Sequence, residues 1–232
     1  MKHVLITGGG TGVGRGAAIR LATAGYRVTI TGRREAPLQE TAAQHEGIQF
    51  RSCDVSDAAS VDALFNNLDP VDILINSAGI NVRHRSMADL EPDEWEKLLR
   101  INATGAYSTM RKVLPTMRER GDGLIINISS VAGKRALELA GVGYCASKFA
   151  MTALGTCVGL EEAPNGIRVT NIYPGEINTP ILDDRPKPVS DEHKAQILQP
   201  EDIAEAILMI AALPPRAHIP ELVIKPTSQH YA

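Results

Sequence analysis

Tyr144 and Lys148 stand four residues apart in the run Tyr144-Cys145-Ala146-Ser147-Lys148. On a helix that spacing puts both side chains on one face, so a phenol and an ammonium would meet. A free phenol, with a pKa of about 10, is a poor acid-base group at neutral pH. A neighbouring ammonium favours the phenolate and lowers that value. The pair therefore suits proton transfer to and from an oxygen. Ser130 closes the run Asn127-Ile128-Ser129-Ser130 and adds a hydroxyl. It could hydrogen-bond a substrate oxygen as that oxygen changes between carbonyl and alcohol. The Tyr–Lys spacing is common by chance, so its meaning depends on what else the chain carries.

A second group of residues suits an anion. The run Thr7-Gly8-Gly9-Gly10-Thr11-Gly12-Val13-Gly14 sits between an apolar stretch and a helical one. Glycines there allow a tight turn and close backbone approach, and the helix start offers free N–H groups to a pyrophosphate. In dinucleotide folds an acidic residue about 20 positions on takes the adenosine ribose hydroxyl. Here the second apolar stretch ends in Thr31-Gly32-Arg33-Arg34, with no acid. A guanidinium is always charged and can donate two bonds to a phosphate. This favours NADP(H) over NAD, with Arg33 first and Arg34 and Arg15 as helpers.

The elements that must position these groups are legible as alternation. Strand candidates are 4–7, 27–31, 48–52, 71–75, 124–128, 167–172 and 222–225, mostly apolar throughout. Such runs fit strands buried on both faces. Helical patterns lie between them at 13–24, 35–45, 57–67, 92–118, 143–163 and 200–213. The expectation is an α/β fold, a single Rossmann-type doubly wound parallel sheet of about seven strands with helices on both faces. Polar clusters then fall at strand ends, namely Cys53-Asp54-Val55, Asn76-Ser77-Ala78-Gly79 and Ser129-Ser130. An open sheet builds its ligand crevice there. The Pro-rich, charged stretch 180–199 is long for a loop and reads as a substrate lid inside one domain spanning 1–232.

Composition narrows the classes further. The 232 residues include 24 Lys and Arg against 27 Asp and Glu, for a net charge of −3. That balance argues against nucleic acid as a partner. Three cysteines, with no Cys/His spacing, support neither a disulfide framework nor a metal site. No apolar run suits a signal peptide or a membrane span. A cytoplasmic location without membrane association is expected.

Together these motifs resemble the short-chain dehydrogenase/reductase family over essentially the whole chain. The resemblance rests on TGGGTGVG at 7–14, NSAG at 76–79, Asn102, NISS at 127–130, YCASK at 144–148 and PGEINT at 174–179. It implies Tyr144 as proton donor in carbonyl reduction. Lys148 would hold the nicotinamide ribose and lower the Tyr pKa. Ser130 rather than Ser129 would orient substrate, and Asn102 would hold a relay water. For the cofactor it implies Gly8, Thr11, Gly12, Val13 and Gly14 at the phosphates, and Asp54 and Val55 at adenine. Asn76, Ala78 and Gly79 would form the adenosine-ribose wall. Pro174, Gly175, Ile177 and Thr179 would lie at the nicotinamide end. The chain departs from the family pattern at Ser77, usually Asn, and at Pro220–Thr227, where many members carry Asp-Gly-Gly.

The implied activity is hydride transfer between NADP(H) and a small-molecule carbonyl or alcohol carbon, in either direction. The rival reading is a catalytically inactive NADP-binding sensor or scaffold, against which the complete Asn102, Ser130, Tyr144 and Lys148 set argues. Substrate identity would rest on 80–87, 131–143 and the lid. Arg83, His84 and Arg85 could hold an anionic substrate, and Glu138 and Glu176 could sit beside it. The few aromatics lean towards small or aliphatic carbonyls. Surplus apolar residues on the helices bearing Trp95 and Phe149, which pair across a two-fold axis in the resembled family, imply a homodimer or homotetramer.

Overall fold

Seven strands lie side by side in the computed structural model, which describes residues 1–230. They are β1 (His3–Thr7), β2 (Arg27–Gly32), β3 (Ile48–Ser52), β4 (Ile73–Asn76), β5 (Gly123–Ile128), β6 (Ile167–Pro174) and β7 (Glu221–Ile224). All neighbours pair in parallel, in the order β3-β2-β1-β4-β5-β6-β7. The reversal of strand order at β1 opens a crevice beyond the carboxyl ends of β1 and β4.

Alternation along each strand divides the core in two. Val4, Ile6, Ile73, Ile75, Leu124 and Ile126 face one side. There they meet Ala17, Ala18 and Leu21 of α1 (Gly12–Thr23), and Ile203, Ile207 and Ile210 from the 200–212 helix. Leu5, Leu74, Ile125 and Val169 face the other side. Val61 and Leu64 from 58–66 cover them, with Met110, Val113 and Met117 from 105–120. The unbroken apolar runs follow directly from strands covered on both faces.

The remaining helices are α2 (Glu35–Ala42), α3 (Ala58–Asn66), α4 (Pro92–Leu99), α5 (Gly105–Arg120), α6 (Val142–Glu162), α7 (Asp191–Gln196) and α8 (Pro200–Ala212). The sequence predicts one helix over 92–118, but a π-helical turn at Arg100–Thr104 divides it into α4 and α5. That turn buries Ile101 and Asn102. Extra-residue turns of this kind recur where a helix must aim a functional side chain. The 180–199 stretch is ordered by a 3-10 turn at Pro180–Asp184 and by α7, capped by the Ser190 hydroxyl. No helix among the described residues is long and apolar enough to cross a membrane.

Register also builds a buried amide ladder. Asn76, Asn127 and Asn171 are paired neighbours across β4, β5 and β6. Asn76 Nδ2 donates to Asn127 Oδ1 at 3.0 Å, and Asn127 Nδ2 to Asn171 Oδ1 at 3.0 Å. Thr109 in α5 donates to Asn76 Oδ1 at 2.7 Å, and Asn171 Nδ2 donates to the Thr152 carbonyl of α6 at 3.3 Å. Satisfied buried amides are directional, so the ladder fixes α5 and α6 against the sheet as well as filling space.

Candidate active site

The turn after β1 carries Gly8 at φ +69°, and a Cβ there would lie 2.8 Å from the Ala78 backbone. Only glycine allows that approach. Thr7 Oγ1 locks the same corner by accepting from Ser77 N and Ala78 N, each at 3.1 Å. The turn leads into α1, whose first turn has no acidic residue and no side-chain cap. Its free N–H groups and positive dipole end face the crevice, an arrangement that fits a pyrophosphate. Gly14 packs against the Gly8 carbonyl and holds α1 against the turn.

Two joined hollows extend from this corner. The larger is a cleft of about 550 Å³ running from Gly8, Thr11, Gly12 and Val13 to Ser130, Tyr144 and Lys148. Its far wall includes Pro174, Gly175, Ile177 and Thr179. The smaller, about 150 Å³, is lined by Arg33, Arg34, Asp54, Val55 and Ala78. Gly8, Thr11, Arg34 and Gly79 border both. Burial raises the Asp54 carboxyl, but two hydrogen bonds from Ser56 and the Arg33 charge outweigh this and hold it below its ordinary value. Arg15 lies outside both hollows, 3.9 Å from Glu40.

Tyr144 and Lys148 project from the first two turns of α6. Lys148 Nζ donates to the Ile128 carbonyl at 2.8 Å and lies 5.7 Å from the centre of the Tyr144 ring. Ser130 starts a 3-10 turn at Val131–Gly133, its Oγ accepting from Ala132 N at 3.1 Å. The same hydroxyl faces the Tyr144 phenol and favours its ionised form. Ser129 is turned inward, its Oγ 3.1 Å from Thr152 Oγ1. Asn102 is fully buried. Its amide accepts from Ile80 N at 2.8 Å and donates to Ile80 O and Ser147 Oγ, each at 2.9 Å. It thereby joins the strand-end loop to α6.

Electrostatics here are governed by burial. Burial pushes the Tyr144 phenol up to about 12, while the Ser130 hydrogen bond and the Arg85 charge oppose the rise. Burial alone pushes the Lys148 ammonium down to about 8. The sequence reading has the ammonium lowering the phenol. In the folded chain Ser130 and Arg85 supply the lowering influence on Tyr144, and the Lys148 ammonium stands 5.7 Å from the ring centre.

Of the residues singled out from sequence, Gly14, Asn76 and Asn102 line neither hollow and act behind the walls. The Asn76 side chain belongs to the ladder rather than to the ribose wall. Glu138 is exposed and outside the cleft, whereas Glu176 lines it. Arg83 and His84 are also exposed, and His84 lies 3.6 Å from Glu94. Asn81 and Arg185 line the cleft from the 80–87 loop and the 180–199 stretch expected there, whereas Gln229 comes from a segment the sequence does not single out. Gln229 arrives from the C-terminal segment, its Oε1 accepting from Glu176 N at 3.0 Å.

Known proteins match this arrangement. The family model described as short chain dehydrogenase matches residues 2–189. An uncharacterized oxidoreductase of Staphylococcus aureus (strain MW2) is 32% identical, with 97% of each chain covered. A glycine betaine reductase of Emericella nidulans is 33% identical over 98% of this chain, which spans 19% of that protein's length. Among solved structures, the closed form of a serine dehydrogenase complexed with NADP+ superposes with a TM-score of 0.90 at 31% identity, covering 99% of this chain and 97% of that one. A 3-ketoacyl-(acyl-carrier-protein) reductase from Brucella melitensis complexed with NADH gives 0.87 at 29% identity, covering 97% and 96%. The glycine turn, the strand-end crevice and the uncapped start of α1 fit the nicotinamide dinucleotides those structures hold. With its sheet, its crevice and its relatives in agreement, this chain belongs to the short chain dehydrogenase family and is an oxidoreductase.

Proposed function

We propose that the protein is an NADP(H)-dependent oxidoreductase interconverting a carbonyl and an alcohol, with Tyr144 as the general acid-base. The observation that carries this reading is the meeting of Ser130, Tyr144 and Lys148 in the cleft that begins at the glycine turn. When bound, the nicotinamide supplies or accepts the hydride. Tyr144 gives its phenolic proton to the substrate oxygen in reduction and takes it back in oxidation. Ser130 hydrogen-bonds the same oxygen and holds it beside the phenol. A phenol near pKa 12 is a ready donor but a weak base. Oxidation therefore relies on added positive charge near the phenolate, which Lys148 is placed to provide. Lys148 would also hold the hydroxyls of the nicotinamide ribose, and Asn102 keeps the Ile80 backbone in place beneath them.

The preference for NADP(H) rests on the smaller hollow. Arg33 and Arg34 are exposed at its rim, and the end of β2 offers these arginines in place of an acid that could take a ribose hydroxyl. The 180–199 segment is the proposed lid, tied down by Glu176, which pairs with Arg185 at 2.6 Å and His193 at 3.0 Å. Tyr107 of α5 with Phe149 and Leu160 of α6 remain exposed. They support a homodimer or homotetramer built on those helices. The test is consumption of NADPH against a broad panel of small aldehydes and ketones, with NADH in parallel. Turnover with NADPH preferred is expected. Tight NADPH binding with no turnover across the panel would overturn the reading in favour of a cofactor-binding protein without catalysis.

A further inference from the structure

The substrate end of the cleft holds a guanidinium without an anion. Arg85 reaches from the loop after β4 into the cleft wall. Its Nε donates to Val82 O at 2.7 Å, its Nη1 to Leu139 O at 2.9 Å and its Nη2 to Asp184 O at 3.0 Å. All three acceptors are neutral carbonyls. A guanidinium has five N–H donors, so two remain, one on each terminal nitrogen. Among the described residues no carboxylate oxygen lies within ion-pair distance of Arg85. Burial and the like charge of Arg185 both disfavour its cationic form. The Asp183 and Asp184 carboxylates also lie at this end, but both residues are exposed and their charge is screened by water. The neighbouring Arg185 already has its anion, Glu176, at 2.6 Å.

Three bonds, one inside its own loop and two to separate segments, hold Arg85 within electrostatic reach of Tyr144, with only the attraction of the exposed Asp184 carboxylate and of Tyr144 to offset its charge. A partly buried cation is costly unless an anion joins it. On the proposed reading the reacting carbon lies at Tyr144, so an anion that joins Arg85 there would be carried by the substrate. We infer that the substrate is a short hydroxy or oxo carboxylic acid whose carboxylate is bound by Arg85. This rests on the oxidoreductase reading and names its substrate class. In the oxidative direction the hydroxy acid loses a hydride from carbon to NADP+ and its hydroxyl proton to Tyr144, giving the oxo acid, NADPH and a proton released to solvent. The carboxylate takes no part in that exchange; it fixes which carbon faces the nicotinamide. Planar, two-pronged donation is what distinguishes guanidinium from ammonium at such a site.

The experiment compares each acid with its methyl ester, lactate and 3-hydroxybutanoate being the probes, at saturating NADP+. The ester keeps the reacting carbon and loses the charge. The native protein should favour at least one acid over its ester by about tenfold or more in kcat/KM, matching one charge-assisted hydrogen bond. In R85Q that ratio should collapse, mostly through KM. Loosened loops alone would lower acid and ester together, so the ratio separates binding from scaffolding. R85K, which keeps the charge without the fork, should fall between. Calorimetry of 3-hydroxybutanoate with the NADP+-loaded protein gives a second readout, independent of turnover. Binding lost in R85Q supports the inference. Esters favoured over both acids, or an acid-to-ester ratio unchanged in R85Q, would overturn it while leaving the oxidoreductase reading standing. No oxidation of acid or ester, with calorimetric binding intact, would count against the reaction and not against the anion site.

Discussion

Lys148 should make the protein less stable than it could be, and replacing it should show this. The residue is 4% exposed, and its ammonium has one neutral partner, the Ile128 carbonyl at 2.8 Å. Burial takes its pKa from 10.5 to about 8. A group whose folded pKa is depressed in this way binds fewer protons folded than unfolded between those values. Stability therefore rises with pH across that window, and the full penalty is felt below pH 8. A shift of about 2.5 units corresponds to roughly 3 kcal/mol at pH 7. Lys148→Met keeps most of the apolar stem and removes the charge. It also removes the bond to Ile128, worth about 1 kcal/mol. The variant should gain about 2 kcal/mol at pH 7. Near pH 9.3 the charge penalty falls to about half, and the advantage shrinks below about 1 kcal/mol. Urea unfolding at the two pH values, at one protein concentration, measures both. A Met variant no more stable at pH 7, or an advantage that does not change with pH, would refute the reasoning. Oxidoreductase activity should fall in the same variant, the expected trade where a strained site serves function.

Arg33→Asp should weaken NADPH by about tenfold and leave NADH unchanged or improved, read by fluorescence titration, since it replaces a phosphate-binding charge with a hydroxyl acceptor. Equal loss for both cofactors would contradict the role given to Arg33. Gly155→Ala should destabilise the fold by about 3 kcal/mol through overpacking and opened amide bonds. The new Cβ would lie 2.2 Å from Asn171 Oδ1 and 2.5 Å from Asn127 Nδ2. Unaltered urea unfolding would show that the ladder is not rigid. Light scattering should report a dimer or tetramer, and a monomer would remove the role proposed for Tyr107, Phe149 and Leu160.

The sheet was legible because strands covered on both faces leave unbroken apolar runs, and β3 matches its sequence range at both ends. Val71 illustrates the boundary error: it is buried like a strand residue but precedes the ladder, which starts at Ile73. The π turn around Asn102 left no mark, because one inserted position barely alters an apolar periodicity. Helix α7 leaves no pattern for the opposite reason: five of its six residues are polar and none is buried, so no face of it is patterned. In the site, Tyr144, Lys148 and Ser130 could be named because each lies at an element boundary with a local signature. Gln229 could not, since the fold brings it to the cleft from the C-terminal segment, whereas Arg185 falls within the 180–199 stretch expected as a lid. The rise in the Tyr144 pKa was equally hidden, because burial is a property of the folded whole.

The central claim is that Tyr144 moves the proton. It is tested by Tyr144→Phe, with single-turnover hydride transfer and NADPH affinity measured on the same preparation. The ring is kept and only the hydroxyl is removed. The account predicts transfer slowed by about a hundredfold or more, as for loss of a general acid, with NADPH binding within a few-fold of the native protein. Transfer at near-native rate in the Phe variant would contradict it.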